Sequence, residues 1–181
     1  MNHFTVFLSV ATLIVSAAGS LAQTASPYAG QEQRTIKALS DQEIGDLQEG
    51  RGMGLAKAAE LNSYPGPLHV LQLANQLELS DAQRAASESL YTEMRNKAQP
   101  LGRKIIESER KLDQTFANNQ INPTNLRSQI NAIAILQGEL RAVHLETHLT
   151  QRSLLTPEQR TRYDVLRGYG AAPHGGPGHG G

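Results

Sequence analysis

The sequence predicts an all-α protein built on one long antiparallel helical hairpin with short flanking helices. Three observations predict it. Ser or Thr is followed three residues later by Glu or Gln at "LSDQE" (Leu39–Glu43), "LSDAQ" (Leu79–Gln83) and "LTPEQ" (Leu155–Gln159). This is the capping box, in which the hydroxyl and the N3 side chain each satisfy an orphan amide at a helix start. Two long segments carry apolar side chains spaced by sevens or their multiples: Tyr91, Ala98, Ile105 and Leu112 in one, Leu126, Ile133, Leu140 and Leu154 in the other. Between them "NNQINP" breaks the chain, with Asn122 as a cap and Pro123 at the first helical position. No segment shows a strand signal.

The elements follow in order. Residues 1–22 read as a secretory signal peptide: Phe4–Val15 is apolar apart from Thr5, Ser9 and Thr12, and Ser20-Leu21-Ala22 supplies small residues for cleavage. The apolar run is shorter than the roughly 20 residues of a membrane span. The chain has no cysteine, so it is not a lipoprotein and uses no disulfides after export. Residues 23–40 read as a linker and residues 41–167 as one helical domain. Its first helix runs from Asp41 to about Leu61, weakened by Gly50, Gly52 and Gly54, with Leu39 and Ile44 as a hydrophobic staple. "NSYPGP" is a turn. A short second helix covers Pro67 to about Leu77. The third runs from Ser80 to about Ala117 with a kink expected at Pro100. The fourth ends near Leu154, and a short fifth covers Pro157–Arg167. Residues 168–181, rich in Gly and His, read as a disordered tail.

The 17 basic and 17 acidic residues cancel, which leaves no basic excess for nucleic acid. Aromatics are 4% with no Trp, which argues against a large aromatic-lined pocket. On the third helix Lys97, Lys104 and Lys111 recur every seven residues, with Arg103 and Arg110 beside them. The plain reading of such a stripe is a solvated helix face. The functional reading is a basic edge on an apolar seam that holds unfolded clients. Ile106, Ile135 and Leu145 fall outside the two facing seams. Their burial against a second copy predicts a homodimer that dissociates on dilution.

His144 and His148 share one helix face at i,i+4, a spacing that can hold a metal. Two imidazoles alone make a weak site, because a structural zinc takes four ligands. Arg141 and Arg152 also bring positive charge to that face. The plain reading is a pair of helix-surface histidines. His69, on a short apolar helix, reads as packed unless it joins them. His174 and His179 in the tail could take up copper, nickel or zinc loosely. Nothing resembles a nucleophile with its base, so no enzyme is expected and no cofactor is required. "GRGMG" (Gly50–Gly54) follows no strand and is a poor phosphate loop.

With "LSDAQR" at Leu79–Arg84 and "LLTPEQRTRYDVL" at Leu154–Leu166, the chain resembles the Spy/CpxP, or LTxxQ-motif, family. Its motif residues here are Leu79, Ser80, Gln83, Leu155, Thr156 and Gln159, with Ser80 in place of the motif Thr. The resemblance implies a cradle-shaped four-helix protomer that pairs antiparallel, a periplasmic location, and a chaperone that holds unfolded clients without ATP. The family's metal-sensor members imply the alternative: zinc, nickel, cobalt or copper at His69, His144 and His148, signalled to a membrane-bound regulator. Here Leu73 stands where a second histidine after His69 is expected.

Overall fold

Two helices set the frame. The computed structural model describes residues 26–169, and its helices are α1 (Asp41–Glu49), α2 (Lys57–Glu60), α3 (Pro67–Gln72), α4 (Asp81–Ala117), α5 (Pro123–Leu154) and α6 (Pro157–Leu166). No strand occurs among the described residues. The chain is all-α, and α4 and α5 form the expected hairpin. The signal segment 1–22 and the tail from Gly170 lie outside the described residues. The helix through Pro100 is continuous.

All three expected capping boxes form. Ser40, Ser80 and Thr156 each accept an N3 amide proton at 3.2 Å. Glu43, Gln83 and Gln159 accept in return from the cap amides at 2.8, 3.0 and 3.0 Å. Asn122 makes a fourth box with Asn125 at the start of α5. These boxes fix where each helix begins.

The two motif glutamines do more than cap. Gln83 Nε2 donates to Gln159 Oε1 at 2.8 Å, and Gln159 Nε2 donates to Gln83 Oε1 at 3.1 Å. The same amide nitrogens also reach backbone carbonyls: Gln83 to Leu154 at 2.8 Å and Gln159 to Leu77 at 3.1 Å. One amide pair therefore ties the starts of α4 and α6 to the end of α5 and to the turn after α3. A glutamate could cap either helix but has no proton to donate across. Around the pair, Val70, Leu77, Leu155 and Tyr163 form an apolar cluster. Gln151 and Ser87 hydrogen-bond beside it at 3.0 Å.

A second core lies further along the hairpin, and here the structure departs from the sequence reading. The helix expected over Asp41–Leu61 stops at Glu49. Gly50 takes the left-handed conformation (φ 67°), and its amide returns to the Asp46 and Leu47 carbonyls. Only glycine adopts that conformation at little cost, which ends the helix there. The chain restarts as α2 after Gly54. The helix expected over Pro67–Leu77 likewise ends at Gln72 and continues as turns. Residues 26–40, read as a linker, carry a 3-10 turn at Gln31–Gln33 and plant Ile36 in the core with no exposed surface.

Ile36 and Leu47 pack with Ala98, Ile105, Ile106 and Leu140. A Cβ at Gly102 would collide with the Leu47 carbonyl oxygen and stand 2.7 Å from its carbonyl carbon. α1 thus lies directly on α4, backbone against helix. This corrects the basis of the expected dimer. Ile106 is 4% exposed, covered by α1 of the same chain and not waiting for a partner, whereas Ile135 remains 62% exposed. Phe116 of α4 and Ile130 of α5, nearer the hairpin tip, are 51% and 46% exposed. The seam loosens toward the hairpin tip.

The glutamine pair predicts a specific cost. Gln159→Glu keeps the Thr156 cap but leaves the Leu77 carbonyl unpaired and sets a carboxylate against Gln83 Oε1. Urea unfolding at pH 7 should show a loss of about 2–4 kcal/mol, from two lost buried hydrogen bonds. Glu43→Gln, at an exposed box with no second role, should change stability by less than about 0.5 kcal/mol.

Candidate functional site

Between α2, α3 and the hairpin lies a cavity of about 460 Å³. It brings together three of the histidines singled out from the sequence: His69 from α3, and His144 and His148 from α5. Tyr91 and Met94 of α4 supply apolar wall, and the glycine-rich stretch 50–54 lines another side. The i,i+4 spacing of His144 and His148 does put both on one face. That face is not helix surface. His144 is 4% exposed, and the His148 side chain 12%. The plain reading of surface histidines is corrected by the loop between α2 and α3, which folds over them.

That loop is held by α5 and α6. Arg152 Nε donates to the Ser63 carbonyl at 3.2 Å, and its guanidinium sits 4.5 Å from the centre of the Tyr64 ring. Ser63 Oγ donates to Asp164 at 2.5 Å. His148 Nδ1 lies 2.7 Å from the Tyr64 carbonyl. A carbonyl only accepts, so Nδ1 carries the proton and Nε2 keeps its lone pair in the neutral ring. Gly66 makes this closeness possible, since a Cβ there would meet His148 Cε1 and Nε2 at 2.9 Å. The Arg152 charge, which the sequence reading set against a cation, is engaged by Tyr64 and Ser63.

The centre of the site is a residue the sequence reading missed. Glu60 of α2 accepts from Tyr163 Oη at 2.5 Å and from Tyr169 Oη at 3.2 Å. His69 Nδ1 and Arg167 Nε each lie 3.4 Å from the same oxygen. His148 Nδ1 lies 3.8 Å from the other oxygen, which has no hydrogen-bond partner. Burial opposes the Glu60 charge. The hydrogen bonds from His69 and Tyr163, with the charges of His69 and His148, outweigh it and hold the carboxyl at about 2. Burial and contact with Glu60 push the Tyr163 phenol far up. The one available signal was a charged residue within the short run "KAAEL", at a position that must face inward if Ala56 does. Tyr163 belongs to α6, the helix of the second motif, Arg167 is its C-cap, and Tyr169 lies just beyond in the stretch read as tail.

His144 differs from its neighbours. Its Nε2 is buried without a partner. Burial, and then the charge of His148, lower it from 6.5 to about 4, so the ring is neutral near pH 7. Imidazole and carboxylate are the donors that zinc, nickel, cobalt and copper accept. The arrangement does not follow the composition: among the described residues, no three His, Asp or Glu side chains are grouped to hold a metal ion.

The candidate client residues lie elsewhere. Lys97, Lys104, Lys111 and Arg103 are exposed on α4, while Arg110 is half-buried and paired with Glu107. Lys104 stands two residues before Ile106, about 200° round the helix. The lysine row therefore faces away from the side that α1 covers.

A family model described as LTXXQ motif family protein matches residues 68–167. No curated protein and no solved structure matches the chain.

Two pH windows follow from the buried groups. His144 is held near 4 against an ordinary 6.5, so the unfolded chain takes up this proton first as pH falls. The associated stability is complete above pH 6.5 and is lost toward pH 4. Glu60 is held at about 2 against 4.5, so its contribution is complete above 4.5 and disappears toward 2. Urea unfolding from pH 7 to pH 2 should show His144→Phe flattening the upper limb. Glu60→Gln should cost about 1.5–3 kcal/mol at pH 7, the range for a hydrogen-bonded charge. That deficit should shrink as the parent's own carboxyl is protonated.

Proposed function

Because the chain belongs to the LTXXQ motif family, we propose that it is a periplasmic, ATP-independent chaperone or stress-protective protein that binds unfolded clients. The observation that carries this reading is the exposed row Lys97, Lys104 and Lys111, with Arg103, on one rigid helix of 37 residues. Regularly spaced cations on a stiff support attract unfolded acidic segments and speed encounter, while apolar contact supplies the holding affinity. The role is a non-enzymatic one. The mature chain should suppress aggregation of a reduced or heat-unfolded client at a few-fold molar excess. Changing Lys97, Lys104 and Lys111 together to Glu should slow capture by roughly tenfold or more at low salt, with the difference narrowing as salt screens it. Stopped-flow light scattering checks this, and a triple variant as fast as the parent would assign the row to solvation alone.

One observation favours a second reading, that of a metal-responsive or metal-buffering envelope protein. His69, His144, His148 and Glu60 line a single cavity. As they stand they are not grouped around one point, so this reading requires the side chains to converge when the ion arrives. Calorimetric titration with zinc, nickel, cobalt and copper separates the cases. Binding that survives removal of residues 170–181 and is lost in His144→Ala supports a folded site. Binding lost with the tail alone assigns it to His174 and His179.

A further inference from the structure

The α4–α5 hairpin already holds a segment of this chain in its apolar groove. Residues 34–49 run as a strap along α4, ending in α1. Ile36 and Leu47 are buried in the groove at 0% and 5% exposure, and Leu39 and Ile44 pack half-buried beside them. The floor is Ile105 and Ile106 of α4 with Leu140 of α5. Gly102 lets the strap backbone settle directly on α4 at Leu47. The polar ties are few. Lys37, half exposed, pairs with Asp113 at 3.2 Å, and Arg95 donates to the Glu49 carbonyl at 3.2 Å. Exposed ties of this kind hold weakly, so apolar contact fixes the strap.

Two further features mark the strap as separable. The family match begins at residue 68, so the strap lies outside the shared part of the chain. It also joins the rest through Gly50 and Gly54, both in the left-handed conformation (φ 67° and 78°), where the chain turns without steric cost. The lysine row cannot be the holding surface by itself, because it offers charge and little apolar area. Beneath the strap the hairpin offers an aliphatic floor of Ile105, Ile106 and Leu140.

We propose that this groove is the client-holding surface, and that residues 34–49 fill it as an internal competitor which a client's aliphatic segment displaces. The proposal rests on the chaperone reading above and names the surface that reading requires. The resident shows what fits: an amphipathic segment with aliphatic side chains three apart, as Ile36 and Leu39 or Ile44 and Leu47 are, whose backbone can lie against Gly102. With the strap in place only a small fraction of molecules is open. Apparent capture is reduced by that fraction.

Reduced lysozyme serves as the client, with the full mature chain throughout. Leu47→Asp removes a strap anchor and leaves the groove intact. Ile36→Asp removes the other buried anchor and likewise leaves the groove intact. Leu47→Asp should capture client about tenfold faster than the parent, as expected if fewer than about one parent molecule in ten is open. A synthetic peptide of residues 34–49 should slow capture by that variant. In the unaltered protein, hydrogen exchange at the α1 amides should rise at least about tenfold when client binds, while the α5 amides stay protected. This last measurement stands even where a variant misfolds. Client-bound protein whose α1 amides stay fully protected overturns the groove assignment, as does equal capture by the parent and both variants. A parent that captures client with the strap in place loses only this proposal. A chain that captures nothing in any form loses the chaperone reading, and the groove assignment with it.

Discussion

The reciprocal amide pair between Gln83 and Gln159 is the contact on which the rest of the arrangement depends. Each glutamine closes the first turn of its own helix and spends its remaining donors on the other glutamine and on a carbonyl from another segment. Two stretches far apart in sequence, Leu77–Gln83 and Leu154–Gln159, are locked together by two side chains. This explains why both motifs carry an amide where helix capping alone would accept a carboxylate. It also sets the relative position of α3, α5 and α6, and with it the loop that closes over His148.

From that fixed end the chain builds a site whose groups compensate one another. Glu60 stays ionised inside the protein because His69 and Tyr163 hydrogen-bond to it and His69 and His148 favour its charge. A buried carboxylate without such partners would be neutral. His144, one turn from His148 and without a partner for Nε2, goes the other way and stays neutral. Charge at one end and its absence at the other leave a cavity with both an anion, Glu60, and a neutral imidazole, His144, on its walls.

The middle of the hairpin follows a different logic. Here apolar packing dominates, and Gly102 decides how near α1 can come. The lysine row and the strap lie on opposite sides of α4, so the exposed charge and the apolar packing are separated in space. A helix of 37 residues is long enough to offer both without one interfering with the other.

The local physics of the sequence determined the helix starts, the hairpin and the family resemblance. Capping boxes and seven-residue spacing act over a few residues and need no partner from elsewhere, so Ser80, Thr156, Asn122 and the Ile105–Ile133–Leu140 seam were legible. The gathering of His69, His144 and His148 was only half legible: the i,i+4 pair is local, whereas His69 arrives by tertiary folding. Glu60 gave almost no signal, because its partners Tyr163, Arg167 and Tyr169 lie more than a hundred residues away in sequence. The strap was misread for the same reason. The stretch around Ile36 looks like a linker until Gly50 turns the chain and Gly102 lets the Leu47 backbone settle on α4, and both are matters of backbone conformation and approach that no periodicity records.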